Sequence, residues 1–424
     1  MAEEKYFSEK VPVRGKYDVI VAGAGVAGIA AALAARRTGK SVLLIEKTVT
    51  PGGLATIGLV NFFVPMCNGR GQIVVKGMAE EFLRLSIKYG FDSIPECWKN
   101  GTAGIDSPRY MTRFSPQIFA LALTDLLAAE EVTLRYDSIV ANVEMSCGKN
   151  GMHCNGVYTE SKSGREFFEG AMIVDATGDA DVLFRAKVPT VQGKNYFTYF
   201  GKLLTLESCK NAVEQGNILH CYCTCSGGIA NLYGGNHPEG MKFFTGTSAE
   251  DVTEFMVLNQ REMLRKLSQD DRTAREVITL PTMPNYRTTR RIDGDKTLRE
   301  TDTYRHFEDS VGAISDFDRR DYLYEIPYGS LVRSGFDNLI TAGRTASGEG
   351  YAWDVLRVIP PAIISGQAAG LACSQAIDTG RPISEIDIAK LQDSLTRSNV
   401  LVHFDDAWIP EQSRGDIRDD NGHV

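Results

Sequence analysis

The chain of 424 residues has no run of about 18 consecutive apolar residues, so no membrane-spanning helix is expected. Positive charge is also short. Lys and Arg number 46 against 54 Asp and Glu, and the resulting net charge of −8 argues against nucleic acid or an anionic membrane as a partner. The nine cysteines include no C-x-x-C pair. The N-terminus, MAEEKYFSEK, is polar and charged, unlike a signal peptide. Together these features predict reduced thiols in a cytoplasmic protein. Cys221, Cys223 and Cys225 alternate along the chain, whereas zinc and iron–sulfur ligands usually stand two residues apart. They read better as small apolar side chains on a strand, and no metal is expected. Tandem repeats and low-complexity linkers are absent too.

What is present is a folded globular composition, 43% hydrophobic and 24% charged, with length enough for two or three domains. Its strongest local signal spans 17–47. Residues 18–22 are a short β-branched apolar run, as in a strand buried on both faces. Gly23-Ala24-Gly25-Val26-Ala27-Gly28 follows, then an Ala/Leu-rich helix closed near Gly39, then a second buried run over 41–45 ending at Glu46-Lys47. G-x-G-x-x-G between a strand and a helix predicts a dinucleotide site. Gly23 makes the tight turn, Gly25 lets backbone approach a pyrophosphate, and Gly28 lets the helix pack on the strand. The helix N-terminus then faces the phosphates. Glu46, 18 residues past Gly28, suits ribose hydroxyls and repels a 2′-phosphate, which disfavours NADP.

Further on, Gly52-Gly53 can lay backbone against a flat ring system or form a surface turn. Helices are expected over 76–90 and 115–129, the second opening on Ser115-Pro116. Short strands over 132–135, 138–145, 153–160 and 166–169 predict an antiparallel meander. A buried run, 171–175, then leads to Ala176-Thr177-Gly178, which either touches the same cofactor or only ends a strand. Between about 190 and 325 the character changes, with the aromatic stretch 196–200 and a helix over 247–267 capped by Ser248. Arg287, Arg290 and Arg291 fall within five residues. They bind an anionic substrate or pair with nearby acids such as Asp293, Asp295 and Glu300. A parallel-sheet pattern returns at 338–344 with Gly343-Arg344, followed by an irregular loop over 345–357. Pro360-Pro361 then starts a long helix to about 376, whose Gly366 and Gly370 allow close approach to the sheet. A short helix near 384–398 follows.

This ordered set resembles the FAD-dependent oxidoreductases of the glutathione-reductase-like superfamily. It is most similar to a bacterial family distantly related to fumarate reductase and succinate dehydrogenase flavoproteins. The resemblance covers about residues 11–400 and rests on 11–21, Gly23–Gly28, Glu46, Gly52-Gly53, 175–178, 287–294, 326–328, 338–344 and 357–370. It implies FAD. By position it puts Gly23, Ala24, Gly25, Val26, Ala27 and Gly28 at the pyrophosphate, and Glu46 with Lys47 at the ribose. Gly52, Gly53, Leu54, Ala55 and Thr56 fall beside the isoalloxazine, Val140 at adenine, and Ala176, Thr177 and Gly178 on the adenosine side. Gly343 and Arg344 fall near the pyrophosphate and ribityl chain. Val358 and Ile359 fall at the flavin pyrimidine edge, where the N-terminal end of the last long helix favours the reduced anion.

The expected fold is α/β: a doubly wound Rossmann-like FAD domain with an antiparallel meander and an inserted α+β cap. Its segments are 1–192 and 326–424, with the substrate domain at 193–325. A soluble flavoenzyme moving a hydride between flavin N5 and a small organic molecule fits best, with reduction of an activated C=C bond suggested by the resemblance. Oxidation of an alcohol, sugar or amine is the competing direction, and a flavin-binding scaffold or sensor is the non-catalytic alternative. Candidate catalytic residues are Arg287, Arg290, Arg291 and Arg357, with Cys67, Tyr328 or Tyr351 as proton donors. No second G-x-G-x-x-G follows a strand, so the electron donor or acceptor stays open among a free reduced flavin, a small carrier, oxygen and a transient nicotinamide. Self-association into a homo-oligomer is compatible with the sequence.

Overall fold

The computed structural model describes residues 8–411. Its frame is a seven-stranded sheet. Val13–Ala22 runs parallel to Val42–Ile45, which in turn runs parallel to Thr133–Arg135. Between the first two strands lies the helix Val26–Arg37, with every residue from Val26 to Ala35 buried. The expected strand at 18–22 therefore begins five residues earlier, at Val13. The run at 132–135 belongs to the parallel sheet and not to the meander.

On its other side Val13–Ala22 pairs with one long strand, Gly164–Asp175, where two separate strands were expected. That strand is a fork. Its first half pairs antiparallel with Met152–Ser161, which pairs with Ser138–Cys147 to make the meander. Its last three residues pair in parallel with Leu339–Thr341. Asn338, fully buried, holds the fork together. Its side-chain oxygen accepts from the Cys154 N–H at 2.8 Å, and its amide donates to the Cys154 and Ala171 carbonyls at 2.8 and 2.9 Å.

After Leu339–Thr341 the expected loop over 345–357 ends in a short helix, Tyr351–Arg357. A bend of 71° leads into the long helix Ile359–Thr379. This helix packs along Val26–Arg37. A Cβ at Gly366 would lie 2.1 Å from the Ala27 carbonyl oxygen, and one at Gly370 would lie 2.2 Å from that of Ala31. The small residues thus admit another helix, not the sheet. The hairpin Ser310–Ser315 and Leu323–Pro327 covers the other side of the long helix, and 400–402 is bonded along it through Ala313 N–H to Leu401 O and Ser310 Oγ to Val402 O.

The middle of the chain forms a second, three-stranded antiparallel sheet of Thr198–Thr205, Cys223–Ile229 and Arg275–Thr279. Ala249–Leu267 packs on it, with Ser248 accepting from the Asp251 N–H as its cap. Phe197, Phe244, Phe255 and Tyr286 form one small core there, and Tyr199, Leu203, Cys225 and Met263 another. Cys223 and Cys225 lie on a strand while Cys221 ends the turn before it, and all three are free thiols. Among the described residues no single helix is long and apolar enough to cross a membrane.

Close contact between the two small-residue helices makes a sharp prediction. Gly366→Val forces them apart at a backbone carbonyl, and overpacking of this kind costs about 3 kcal/mol. Thermal unfolding of purified protein should show a Tm lowered by several degrees. A variant as stable as the parent would mean the helices tolerate separation.

Candidate functional site

The C-terminal ends of the parallel strands open on a cleft lined by the first glycine turn, Glu46, Gly52-Gly53, Thr177-Gly178, Gly343-Arg344 and the start of the long helix. Gly23 has φ 101°, a left-handed conformation that favours glycine, and a Cβ there would lie 2.4 Å from the Ala176 carbonyl oxygen. A Cβ at Gly28 would meet the Gly23 carbonyl oxygen at 1.9 Å, so helix and turn are in contact. Gly25 differs. A Cβ there meets no protein atom within 4 Å, because the position faces open cleft. Ile29 N–H bonds the Gly25 carbonyl at 2.9 Å, and the Ala27 and Gly28 N–H groups are left as first-turn donors without a partner among the described residues. This is an anion cradle at a helix N-terminus.

Glu46 is held rigidly at the end of its strand. One carboxylate oxygen accepts from the Ala24 N–H at 2.8 Å, and the other accepts from the Thr48 N–H and hydroxyl, both at 2.9 Å. It lines the cleft together with Lys47 and also a smaller recess bounded by Val140, Ser138, Thr177 and Asp181. Gly52 donates its N–H to the Ala24 carbonyl at 2.7 Å, so the second glycine turn leans on the first. Leu54 and Ala55 continue the wall. Thr56 turns away and donates to the Pro51 carbonyl at 2.6 Å.

Across the cleft, fully buried Asp175 organises the third turn. It accepts from the Thr177 hydroxyl and N–H at 2.7 and 3.0 Å and from the Leu183 N–H at 2.9 Å. Burial pushes its carboxyl up to about 6 against those bonds. Arg344 is equally committed: it donates to Gly178 O at 2.7 Å, Tyr286 O at 2.8 Å and Asp179 Oδ1 at 2.8 Å. It thereby ties the middle of the chain to the sheet. At the start of the long helix Pro360 and Pro361 carry no N–H, and Ala362 N–H bonds Val358 O at 3.0 Å. Ile359 is left as the first-turn donor, and it lines the cleft, while Val358 caps the helix.

A second cavity of about 340 Å³ lies where the middle segment meets Tyr351–Arg357. Tyr233 stacks parallel to Tyr351 at 6.1 Å, and Lys194, Tyr196, Arg287, Trp353 and Asp354 complete the wall. The two cavities share a charged partition. Arg357 lines the first, and its Nε donates at 2.7 Å to Asp354, which lines the second. Arg287 sits on the second side with only the Ala230 carbonyl as a side-chain partner, at 3.3 and 3.4 Å. Burial first, then the nearby Arg357, pull its guanidinium down to about 10. Lys194 lies over the rings of Phe243 and Tyr196. Among the described residues neither Arg287 nor Lys194 pairs with a carboxylate.

The other expected catalytic residues separate clearly. Arg290 bonds Asp179 O and Asp181 Oδ1 at 2.9 and 2.7 Å and covers Phe184. Arg291 bonds Ile292 O and Ser347 Oγ at 2.9 and 2.8 Å. Both are structural ties and neither lines a cavity, although their partners are not the acids expected from the sequence. Cys67 is buried and its sulfur accepts the Tyr110 N–H at 3.1 Å. Tyr328 is buried and donates to the Ile383 carbonyl at 2.6 Å, and burial raises its hydroxyl well above the usual range. Neither lines the flavin cleft or the aromatic cavity. Tyr351 does line one, and its hydroxyl donates to buried Asp316 at 2.6 Å. Lys194, Asn195 and Tyr233 were not singled out in the sequence, where nothing marks them as neighbours of Arg287.

Against known proteins, the family described as FAD dependent oxidoreductase matches residues 18–214 and 241–395. A thioredoxin reductase from Ureaplasma parvum serovar 3 is 31% identical over 80 residues, 19% of this chain and 26% of that protein. The chain thus spans about a quarter of the curated relative it matches. Among solved structures, a p-nitrophenol 4-monooxygenase from Pseudomonas putida is 12% identical with a TM-score of 0.49, covering 96% of this chain and 93% of that one. A geranylgeranyl bacteriochlorophyll reductase-like protein from Thermoplasma acidophilum is 13% identical with a TM-score of 0.43, covering 94% and 95%.

FAD fits the residues present. The open face at Gly25 and the free N–H groups beside it suit a pyrophosphate, and the fixed Glu46 carboxylate beside the Val140 recess suits an adenosine. Glu46→Arg removes the acceptor and puts a cation against the Ala24 and Thr48 N–H groups. The purified variant should be colourless, with little or no bound flavin. Full flavin occupancy would contradict this placement.

Proposed function

Because the chain belongs to the FAD dependent oxidoreductase family, we propose that it moves a hydride between flavin N5 and a small anionic substrate held in the aromatic cavity. The observation that carries this reading is Arg287, a part-buried guanidinium in the cavity wall with no carboxylate partner among the described residues. A buried charge is costly unless paired. Here the Asp354 carboxylate pairs with Arg357 and not with Arg287, and Lys194 adds to the same cavity a further cation with no carboxylate partner among the described residues. A substrate carboxylate completes that balance and gains paired hydrogen bonds from Arg287.

Bound FAD supplies two-electron hydride chemistry at N5. The protein's own residues do the rest. Arg287 and Lys194 bind and orient the anion. Tyr233 and Tyr351 present flat rings that suit a planar substrate. Tyr351 also handles the proton. Its hydroxyl donates to Asp316 Oδ1, and the other oxygen of that buried carboxylate has no partner in the protein. The pair can pass a proton at Tyr351 Oη to or from a molecule in the cavity. The Arg357–Asp354 pair fixes the edge at which the flavin cleft meets the substrate cavity.

Reduction of an activated C=C bond and oxidation of an alcohol, sugar or amine use the same parts in opposite directions. Anaerobically reduced enzyme that is reoxidised by an α,β-unsaturated carboxylate works as a reductase. Oxidised enzyme bleached under the same conditions by a hydroxy or amino acid works as a dehydrogenase or oxidase. A scaffold or sensor does neither.

Anion binding is tested with benzoate, which should perturb the visible flavin band of the holoenzyme. Arg287→Met should weaken benzoate at least about tenfold, equal to 1.4 kcal/mol, with flavin content unchanged. Equal affinity for benzoate and uncharged benzamide would contradict the proposal.

A further inference from the structure

Away from both cavities, two histidines and a carboxylate from distant parts of the chain converge on one point. His306, Glu325 and His403 each place a ligand-type atom within 4.8 Å of the others, the one such group among the described residues. His306 Nδ1 lies 2.7 Å from Glu325 Oε1, and His403 Nδ1 lies 3.1 Å from the same oxygen. We propose that His306, Glu325 and His403 form a binding site for a divalent transition cation of the zinc class, clasping the C-terminal segment to the hairpin behind the long helix.

The chemistry of the donors supports this. Two imidazole nitrogens and one carboxylate oxygen are a common zinc set, and tetrahedral coordination at about 2.0 Å separates its ligands by about 3.3 Å. The orientation of each group is already fixed from behind. Asp406 Oδ1 lies 2.7 Å from His306 Nε2, which leaves Nδ1 as the metal-facing atom, the usual carboxylate–histidine support. Glu325 Oε2 accepts the Phe307 N–H at 2.8 Å and also lies 3.1 Å from His403 Nδ1, while Oε1 faces both histidines. The His306 ring rests on Phe404 at 4.3 Å between centroids.

The charge balance points the same way. The Glu325 side chain is wholly buried, and no Lys or Arg pairs with it among the described residues. A buried carboxylate needs a cation beside it. Either a protonated His306 or a bound metal supplies one. The His306 and His403 side chains remain 32% and 44% exposed, so an ion can enter and a water can complete its coordination. The site joins Leu323–Pro327 to the segment carrying His403, Phe404 and Asp406, and residues 400–402 of that segment bond the hairpin strand that covers the long helix. A cation here stabilises a remote support of the flavin cleft and takes no part in redox chemistry.

The test uses holoenzyme stripped with EDTA and titrated with Zn2+ by calorimetry, with Tm followed in parallel. The expected result is one Zn2+ per chain, a Tm that rises with Zn2+, and at least tenfold weaker binding in His403→Gln. His403 is half exposed, so this variant should fold, and its flavin content should match the parent. Glu325→Gln should abolish binding, and His220→Gln, at an exposed histidine elsewhere, should leave it unchanged. Absence of stoichiometric Zn2+, or equal affinity in His403→Gln and the parent, would overturn the proposal in favour of an imidazolium–carboxylate contact.

Discussion

At Gly366 the long C-terminal helix lies so close to the first helix that one methyl group would collide with the Ala27 carbonyl. Much of the cofactor cleft depends on that contact. Ala27 and Ala362 both line the cleft, and the contact between their helices sets its width. Helix packing at this distance needs small residues on both sides, and here Gly366 and Gly370 face the Ala-rich helix Val26–Arg37. The chain therefore builds one nucleotide site from segments more than 300 residues apart. The forked strand Gly164–Asp175 performs the matching task in the sheet. It accepts Leu339–Thr341 beside the older strands, and Asn338 satisfies the backbone groups exposed where the meander diverges.

Polar groups at the cleft divide into those that are spent and those that are free. Arg344 and Arg290 donate to backbone carbonyls, Asp179 and Asp181, and Arg291 donates through one terminal nitrogen to Ile292 O and Ser347 Oγ. They weld the middle of the chain to the sheet. Arg287 lies only three residues before Arg290, yet it falls outside the strand Arg290–Ile292 and lines the aromatic cavity with little to bond. That difference in partners, more than the presence of arginine, separates structural cations from one able to hold an anion.

Much of this was legible in the sequence because it is local. The turn Gly23–Gly28 and the acid at Glu46 stand at fixed offsets from a strand and a helix, and Ser115 and Ser248 cap the helices their positions foretold. Pairing was not legible. Residues 132–135 look like any short strand, and only the partner Val42–Ile45 puts them in the parallel sheet. The break expected between 169 and 171 is absent because Val13–Ala22 pairs continuously across it, from Phe167 to Asp175. Likewise Cys67 and Tyr328 carry useful chemistry by type, but both are buried and line neither the flavin cleft nor the aromatic cavity. His306 and His403 stand 97 positions apart, and nothing in either neighbourhood announces the other.

The central claim is that a part-buried guanidinium without a carboxylate partner among the described residues, set in an aromatic cavity beside the flavin cleft, selects an anionic substrate. A crystal structure of the FAD-loaded protein with benzoate tests it most directly. The account predicts the carboxylate within about 3 Å of the Arg287 guanidinium nitrogens, with the ring against Tyr233 and Tyr351. Benzoate bound elsewhere, or in this cavity with its carboxylate turned away from Arg287, would contradict it.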